Sequence, residues 1–151
     1  MTGTPGFSLI ELMIVVAVLS ILSVGATLAV GQRARTGAAD VTTLRTLYGT
    51  LRSEAVLSGQ ALQLRITPGT LSVWTRTPEG DWARRGPDRI LRGTADPVGG
   101  YGAVTDPDGA VQITLLPDRR SSAFDVRLES PAASWVCTAN GWEPLQCDPA
   151  G

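Results

Sequence analysis

From Phe7 to Val30 the chain reads FSLIELMIVVAVLSILSVGATLAV, an apolar run interrupted by one charged residue, Glu11. As a helix rising about 1.5 Å per residue it is long enough for a hydrocarbon layer of about 30 Å, so the sequence predicts a transmembrane helix over 7–30. A cleaved secretory signal would open on basic residues and carry an apolar stretch of only about 7–15 residues before a small-residue cut site. Met1 to Gly6 holds no basic residue and the run is longer, although Val24-Gly25-Ala26 offers a weak cut site. A buried core helix would need more chain around it than 151 residues supply. A plain anchor leaves Glu11 unexplained, because a carboxylate in hydrocarbon costs about 3 kcal/mol and calls for a cationic partner.

Gly6-Phe7-Ser8-Leu9-Ile10-Glu11-Leu12 resembles the processing site of type IV prepilins and type II secretion pseudopilins. The resemblance covers the whole first helix. It implies a leader over 1–6, a membrane-peptidase cut between Gly6 and Phe7, and methylation of the new amine on Phe7. It makes Glu11 the assembly residue, paired with the terminal amine of a neighbouring subunit. The chemistry is consistent with those roles. Before the cut the Gly6–Phe7 link is a neutral amide; afterwards the α-amine is largely protonated near neutrality, and methylation leaves it basic. The buried carboxylate is then neutralised only by polymerisation, and deleting one partner of such a pair costs about 3–5 kcal/mol. Two features depart from the family's pattern. The leader lacks the usual Lys or Arg, while Arg33 and Arg35 follow the run, against the positive-inside trend. No proline occurs between Gly6 and Pro68, which leaves Gly25 and Gly31 as the points of flexibility.

Residues 31–60 continue as an amphipathic helix. Val41, Leu44, Leu47, Tyr48, Leu51 and Ala55 recur at helical spacing, with Asp40, Arg45, Arg52 and Glu54 among the intervening positions and Gly59 placed to stop the helix. Such a stripe predicts packing on a sheet. Leu51-Arg52-Ser53-Glu54-Ala55-Val56, followed by Gly59-Gln60-Ala61-Leu62, resembles the helix end and first strand of the GspH/FimT subfamily of minor pseudopilins. That resemblance implies a pilin-like α+β fold: a long N-terminal helix packed on an antiparallel β-rich domain, split between two sheets, over 61–151. Arg52 and Glu54 read as a solvated or locally paired face.

In the remainder, Leu62, Leu64 and Ile66 alternate with polar residues, Pro68-Gly69 turns, and Leu71, Val73 and Thr75 resume the alternation, which predicts a hairpin. Further strands are expected at Ile90 to Leu91, Tyr101 to Thr105, Ala110 to Leu116, Ala123 to Leu128 and Trp135 to Thr138. Turns fall at Pro78-Glu79-Gly80-Asp81, Pro107-Asp108-Gly109 and Asn140-Gly141. Pro97 to Gly102 reads as a flexible loop, since no strand-to-helix context makes a phosphate cradle of its glycines. Cys137 and Cys147 are spaced to close a disulfide if the domain lies outside the cytoplasm, with about 2–3 kcal/mol of stabilisation; in a reducing compartment they would be free thiols. Trp135 and Trp142 fit either core packing beside that bridge or a subunit contact.

Every cation is an arginine, and the chain has neither lysine nor histidine, which removes the commonest general bases and imidazole ligands. No nucleophile and base pair stands out, and no cofactor or metal site is expected. Zinc would need about four ligands, and Asp106-Pro107-Asp108-Gly109 lacks the closing glutamate of a calcium loop and reads as a hairpin turn. With a formal net charge of −1, a charge-driven partner must act locally. Arg84, Arg85, Arg89 and Arg92 lie near Trp74 and Trp82 in sequence, the residue types of a single-stranded nucleic-acid surface. The competing reading is of loop charges paired with Asp81 and Asp88. No arginine follows Arg127, and the tail carries Glu143 and Asp148, which counts against the basic C-terminus used by DNA-uptake pilins.

The resemblances together imply a structural subunit of a type II secretion pseudopilus or type IV pilus, placed near the filament tip, and not an enzyme. Implied partners are other major and minor pilins or pseudopilins, prepilin peptidase, and the inner-membrane assembly platform with its ATPase. The implied location is the bacterial inner membrane, single-pass, with the C-terminal domain in the periplasm and then in the filament. The rival expectations are a DNA-binding minor pilin for transformation and a secreted hydrolase whose mature chain starts after Ala26.

Overall fold

The computed structural model describes residues 9–99, 103–131 and 133–151. They belong to two units, Met1–Gln32 and Arg33–Gly151. Among the described residues there is one α-helix, α1, which runs Leu9–Ser58.

Within the first unit, residues 9–20 are helical and all their side chains are exposed. Leu9 is 77% exposed and Met13 68%, values no folded chain tolerates on a run of apolar residues unless something else covers them. Among the described residues no helix is long and apolar enough to cross a membrane. The span expected over 7–30 begins at Phe7 and Ser8, which lie outside the described residues.

In the second unit the predicted stripe is the core. Val41, Leu44, Leu47, Tyr48, Leu51 and Ala55 are all buried. The helix ends where Gly59 takes a left-handed φ of 67°, a conformation that costs a side-chain-bearing residue about 1 kcal/mol or more. Among the described residues ten strands follow in chain order. They are β1 Leu62–Ile66, β2 Thr70–Arg76, β3 Trp82–Arg84, β4 Arg89–Ile90, β5 Thr94–Gly99, β6 Val104–Thr105, β7 Val111–Leu115, β8 Phe124–Ser130, β9 Ala133–Ala139 and β10 Gln146–Pro149. They form two antiparallel sheets. One has the order β3-β2-β1-β7-β6, with β4 also paired to β2; the other runs β10-β9-β8-β5. The α+β class with two sheets is therefore the observed fold.

The hairpin of β1 and β2 pairs Leu64 with Val73 and Ile66 with Leu71, and β1 pairs on its other side with β7, Leu64 opposite Ile113. Alternation puts Leu62, Leu64, Ile66, Leu71, Ile113 and Leu115 in the core. From the second sheet come Ala95, Phe124, Val126, Leu128, Cys137 and Ala139. The Tyr48 and Phe124 rings meet edge-on at 5.8 Å, and the Tyr48 hydroxyl lies 2.6 Å from Ser121 Oγ, so this deep ring keeps a polar partner. At Gly37 the helix comes so close to the β8–β9 hairpin that a Cβ would sit 2.7 Å from Ser130 Oγ.

Four segments differ from the sequence expectation. Residues 94–99 are a strand where a loop beginning at Pro97 was expected. Among the described residues β5 is an edge strand paired with β8 alone, where a missing N–H is tolerated, and its register shifts between Pro97 and Gly99. Gly100 to Gly102, including Tyr101 of the strand expected over 101–105, lie outside the described residues. β3 and β10 are strands that the pattern did not announce, and β4 sits one residue earlier than Ile90 to Leu91.

Candidate functional site

The assembly residue implied by the sequence, Glu11, occupies the first turn of α1 and is exposed, as are its described apolar neighbours. Gly6 and Phe7, the expected cut and methylation positions, lie outside the described residues. What the described part presents is a carboxylate set in an uncovered apolar helical surface. Chemically that surface can be satisfied by hydrocarbon or by other apolar helices, and the carboxylate by a cation brought with them.

Cys137 and Cys147 are bonded to each other and are register partners across β9 and β10. Both are buried. The bridge closes a ten-residue separation and fixes the polar tail as an edge strand, which explains how Gln146–Pro149 becomes β10 despite its composition. Trp135 packs against the core, as expected, whereas Trp142 is 67% exposed on the loop between β9 and β10.

The four loop arginines do not act as one cluster. Arg84 is ion-paired with Asp88, as the competing reading expected, and Arg85 with Glu54 of the helix. Asp81 is not a partner of either; its carbonyl accepts the Thr77 N–H inside the turn. Trp74 is covered by the Arg65 guanidinium, 4.0 Å from the ring centroid, rather than by one of the four. Arg89 lies on β4, opposite Leu71. Arg92 contributes its backbone N–H to Asp40.

That last contact is one the sequence did not reveal. Asp40 reads as a polar position on the helix, yet it is only 5% exposed. Its carboxylate accepts the Gly93 N–H at 2.8 Å and the Arg92 N–H at 3.1 Å. Gly93 is required for this approach, since a Cβ there would lie 2.0 Å from the Glu129 carbonyl oxygen. A buried carboxylate held by backbone donors ties α1 to the chain entering β5. Arg52 makes a second tie, donating to the carbonyls of Trp142 and Glu143.

Asp106 closes the β6–β7 turn. Its carboxylate accepts the N–H of Ala110 at 2.9 Å and that of Asp108 at 3.1 Å, with Gly109 at φ 78°. The Ala110 hydrogen bond, with help from Gln112, Asp108 and Arg65, holds its pKa below the ordinary 3.8 against the opposing effect of desolvation. The segment is a hairpin turn. Among the described residues no group of three or more His, Cys, Asp or Glu converges on a metal-sized site.

A long helix laid by its C-terminal half on two antiparallel sheets, and opened by a lone glutamate in an apolar turn, defines a pilin-like subunit. Residues 1–27 match the prokaryotic N-terminal methylation motif, and residues 40–142 match the family model of the type II transport protein GspH. The chain belongs to the GspH family. Two solved structures of the minor pseudopilin EpsH from the type 2 secretion system of Vibrio cholerae are similar to it. One is 19% identical, with a TM-score of 0.61, covering 77% of this chain and 98% of its own. The other is 20% identical, with a TM-score of 0.61, covering 79% and 97%. At that identity the likeness speaks to the fold. No curated protein matches the chain.

Proposed function

We propose that this chain is a minor pseudopilin: a structural, non-catalytic subunit of a type II secretion pseudopilus, positioned near the filament tip. It is inserted in the bacterial inner membrane through residues 7–30, with residues 61–151 in the periplasm. Prepilin peptidase cuts between Gly6 and Phe7 and methylates the Phe7 amine, and the assembly platform with its ATPase moves the subunit into a filament of other pseudopilins. The observation that carries this reading is Glu11 in the first turn of a helix whose residues 9–20 are uncovered, in a chain whose later part is a GspH domain. The new amine of a neighbouring subunit supplies the cation that Glu11 lacks among the described residues. Glu11→Ala tests it: the variant should accumulate in the membrane and fall out of filaments, and incorporation at the wild-type level would remove the proposed pairing.

A nucleic-acid-binding role has weaker support, because Arg84 and Arg85 already have acidic partners within the chain. Salt-dependent binding of single-stranded DNA by the full chain, lost on Arg84→Ala with Arg85→Ala, would restore it.

A further inference from the structure

A groove of about 650 Å³ runs between the last turns of α1 and the loop joining β9 to β10. Its walls are apolar, with Leu57 87% and Trp142 67% exposed, and arginines 45, 52 and 119 line it without a single carboxylate among the lining residues. Arg52 is occupied by loop carbonyls, but Arg45 and Arg119 have no ion pair among the described residues.

At two further positions the folding of this chain explains the backbone but not the residue that occupies it. Gly49 lines the groove inside the C-terminal part of α1, where glycine costs about 1 kcal/mol relative to alanine. A Cβ there would meet nothing within 4 Å, so no neighbour inside the chain demands glycine. Arg119 holds a left-handed φ of 71°, the only such non-glycine among the described residues, in a turn closed by the Leu116 N–H on the Arg120 carbonyl. Strain of this kind costs on the order of 1–3 kcal/mol and points from the outlier to a use. Glycine keeps the floor of the groove open, and the strained arginine supplies a free cation at its edge.

We infer that this groove docks an acidic peptide segment of a partner protein, one that seats a large apolar side chain over Gly49, against Leu57 and Trp142, and places carboxylates against Arg45 and Arg119. Charge complementarity selects the occupant, because the lining offers two unpaired cations and no anion. A single-stranded nucleic acid fits less well. It would need a row of stacking rings and a track of cations along the backbone, whereas the lining is mostly aliphatic with one exposed indole.

The test is photo-crosslinking in the native cell, with the full-length chain carrying p-benzoylphenylalanine in place of Ser53, an exposed residue of the groove wall. The expected product is one partner protein, attached through a peptide that carries both carboxylates and a large apolar residue. Gly49→Phe, which fills the floor at a helix-compatible position, should lower the yield about tenfold, as should Arg45→Glu with Arg119→Glu; Gly49→Ala should leave it nearly unchanged. Arg119→Gly should raise thermal stability while reducing the crosslink, a split that a purely structural arginine would not give. Absence of a product overturns the inference. So does a crosslink to nucleic acid, to lipid or to a second copy of this chain, or a yield insensitive to Gly49→Phe in protein that still melts cooperatively. A crosslink to an acidic segment of a protein that enters no filament keeps the groove and counts against the pseudopilus; wild-type filament incorporation of a chain that yields no crosslink from position 53 with the groove open does the reverse.

Discussion

Two stretches of the same helix treat their apolar residues in opposite ways. Between residues 41 and 55 the hydrophobic positions form one stripe, and the two sheets bury it completely: Leu44 and Ala55 are both 0% exposed. Between residues 9 and 20 they run all round the helix, and all of them are exposed. The first stretch is solved within the domain; for the second, the proposed function assigns the cover to what surrounds the subunit. A periodic pattern encodes an intramolecular partner and an unbroken one encodes an external partner.

The contrast can be broken most sharply at its two ends. Leu44→Ala should cost the domain about 2–5 kcal/mol, because a fully buried leucine leaves a cavity. Leu12→Ala should leave the domain's denaturation midpoint unchanged in detergent-solubilised full chain, since Leu12 is 57% exposed. Equal losses at the two sites would end the comparison.

The next effect is the bridge. Removing it with Cys137→Ala and Cys147→Ala should lower domain stability by about 2–3 kcal/mol and release Gln146–Pro149 to rapid hydrogen exchange, with no change in exchange across residues 9–20. A smaller effect is expected at Asp40, a buried charged residue of the helix. Asp40→Ala strands the Arg92 and Gly93 N–H groups and should cost about 1–3 kcal/mol in the same denaturation experiment. The smallest is set by pH. Asp106 has a folded pKa below its unfolded value, so its contribution is present above the ordinary 3.8 and is lost as pH falls through the lower folded value. Asp118 behaves alike through its hydrogen bond from the Arg120 N–H. Acid titration of the melting temperature should steepen below the ordinary carboxylate range, and Asp106→Asn should flatten part of that slope; an unchanged slope would remove Asp106 from the account.

How far the sequence could be read follows from the same contrast. The six stripe residues, the stop at Gly59 and the hairpin of β1 and β2 were legible, because each rests on a period or on a turn residue that acts locally. β10 was not, since Gln146–Pro149 becomes a strand through a covalent bond to β9 rather than through propensity. β5 was hidden by a proline and a glycine that an edge position accepts. β3 is three residues long and includes an arginine, too short for alternation to register. Asp40 could not be separated from its solvent-facing neighbours, because its partners are backbone donors that no side-chain pattern marks. Among site residues, the cysteine pair is bridged, and Glu11 lies in the first turn of α1 with its assembly role a proposal. The loop arginines divide, with Arg84 and Arg85 drawn off to Asp88 and Glu54.

The proposal that outside partners complete the uncovered stretch requires that the chain be cut to expose a cation for Glu11. Intact-mass measurement of the endogenous protein extracted from membranes reads this directly. The account predicts a polypeptide starting at Phe7, carrying one methyl group on its terminal amine and the Cys137–Cys147 bridge. A functional protein that still retains residues 1–6 would contradict it.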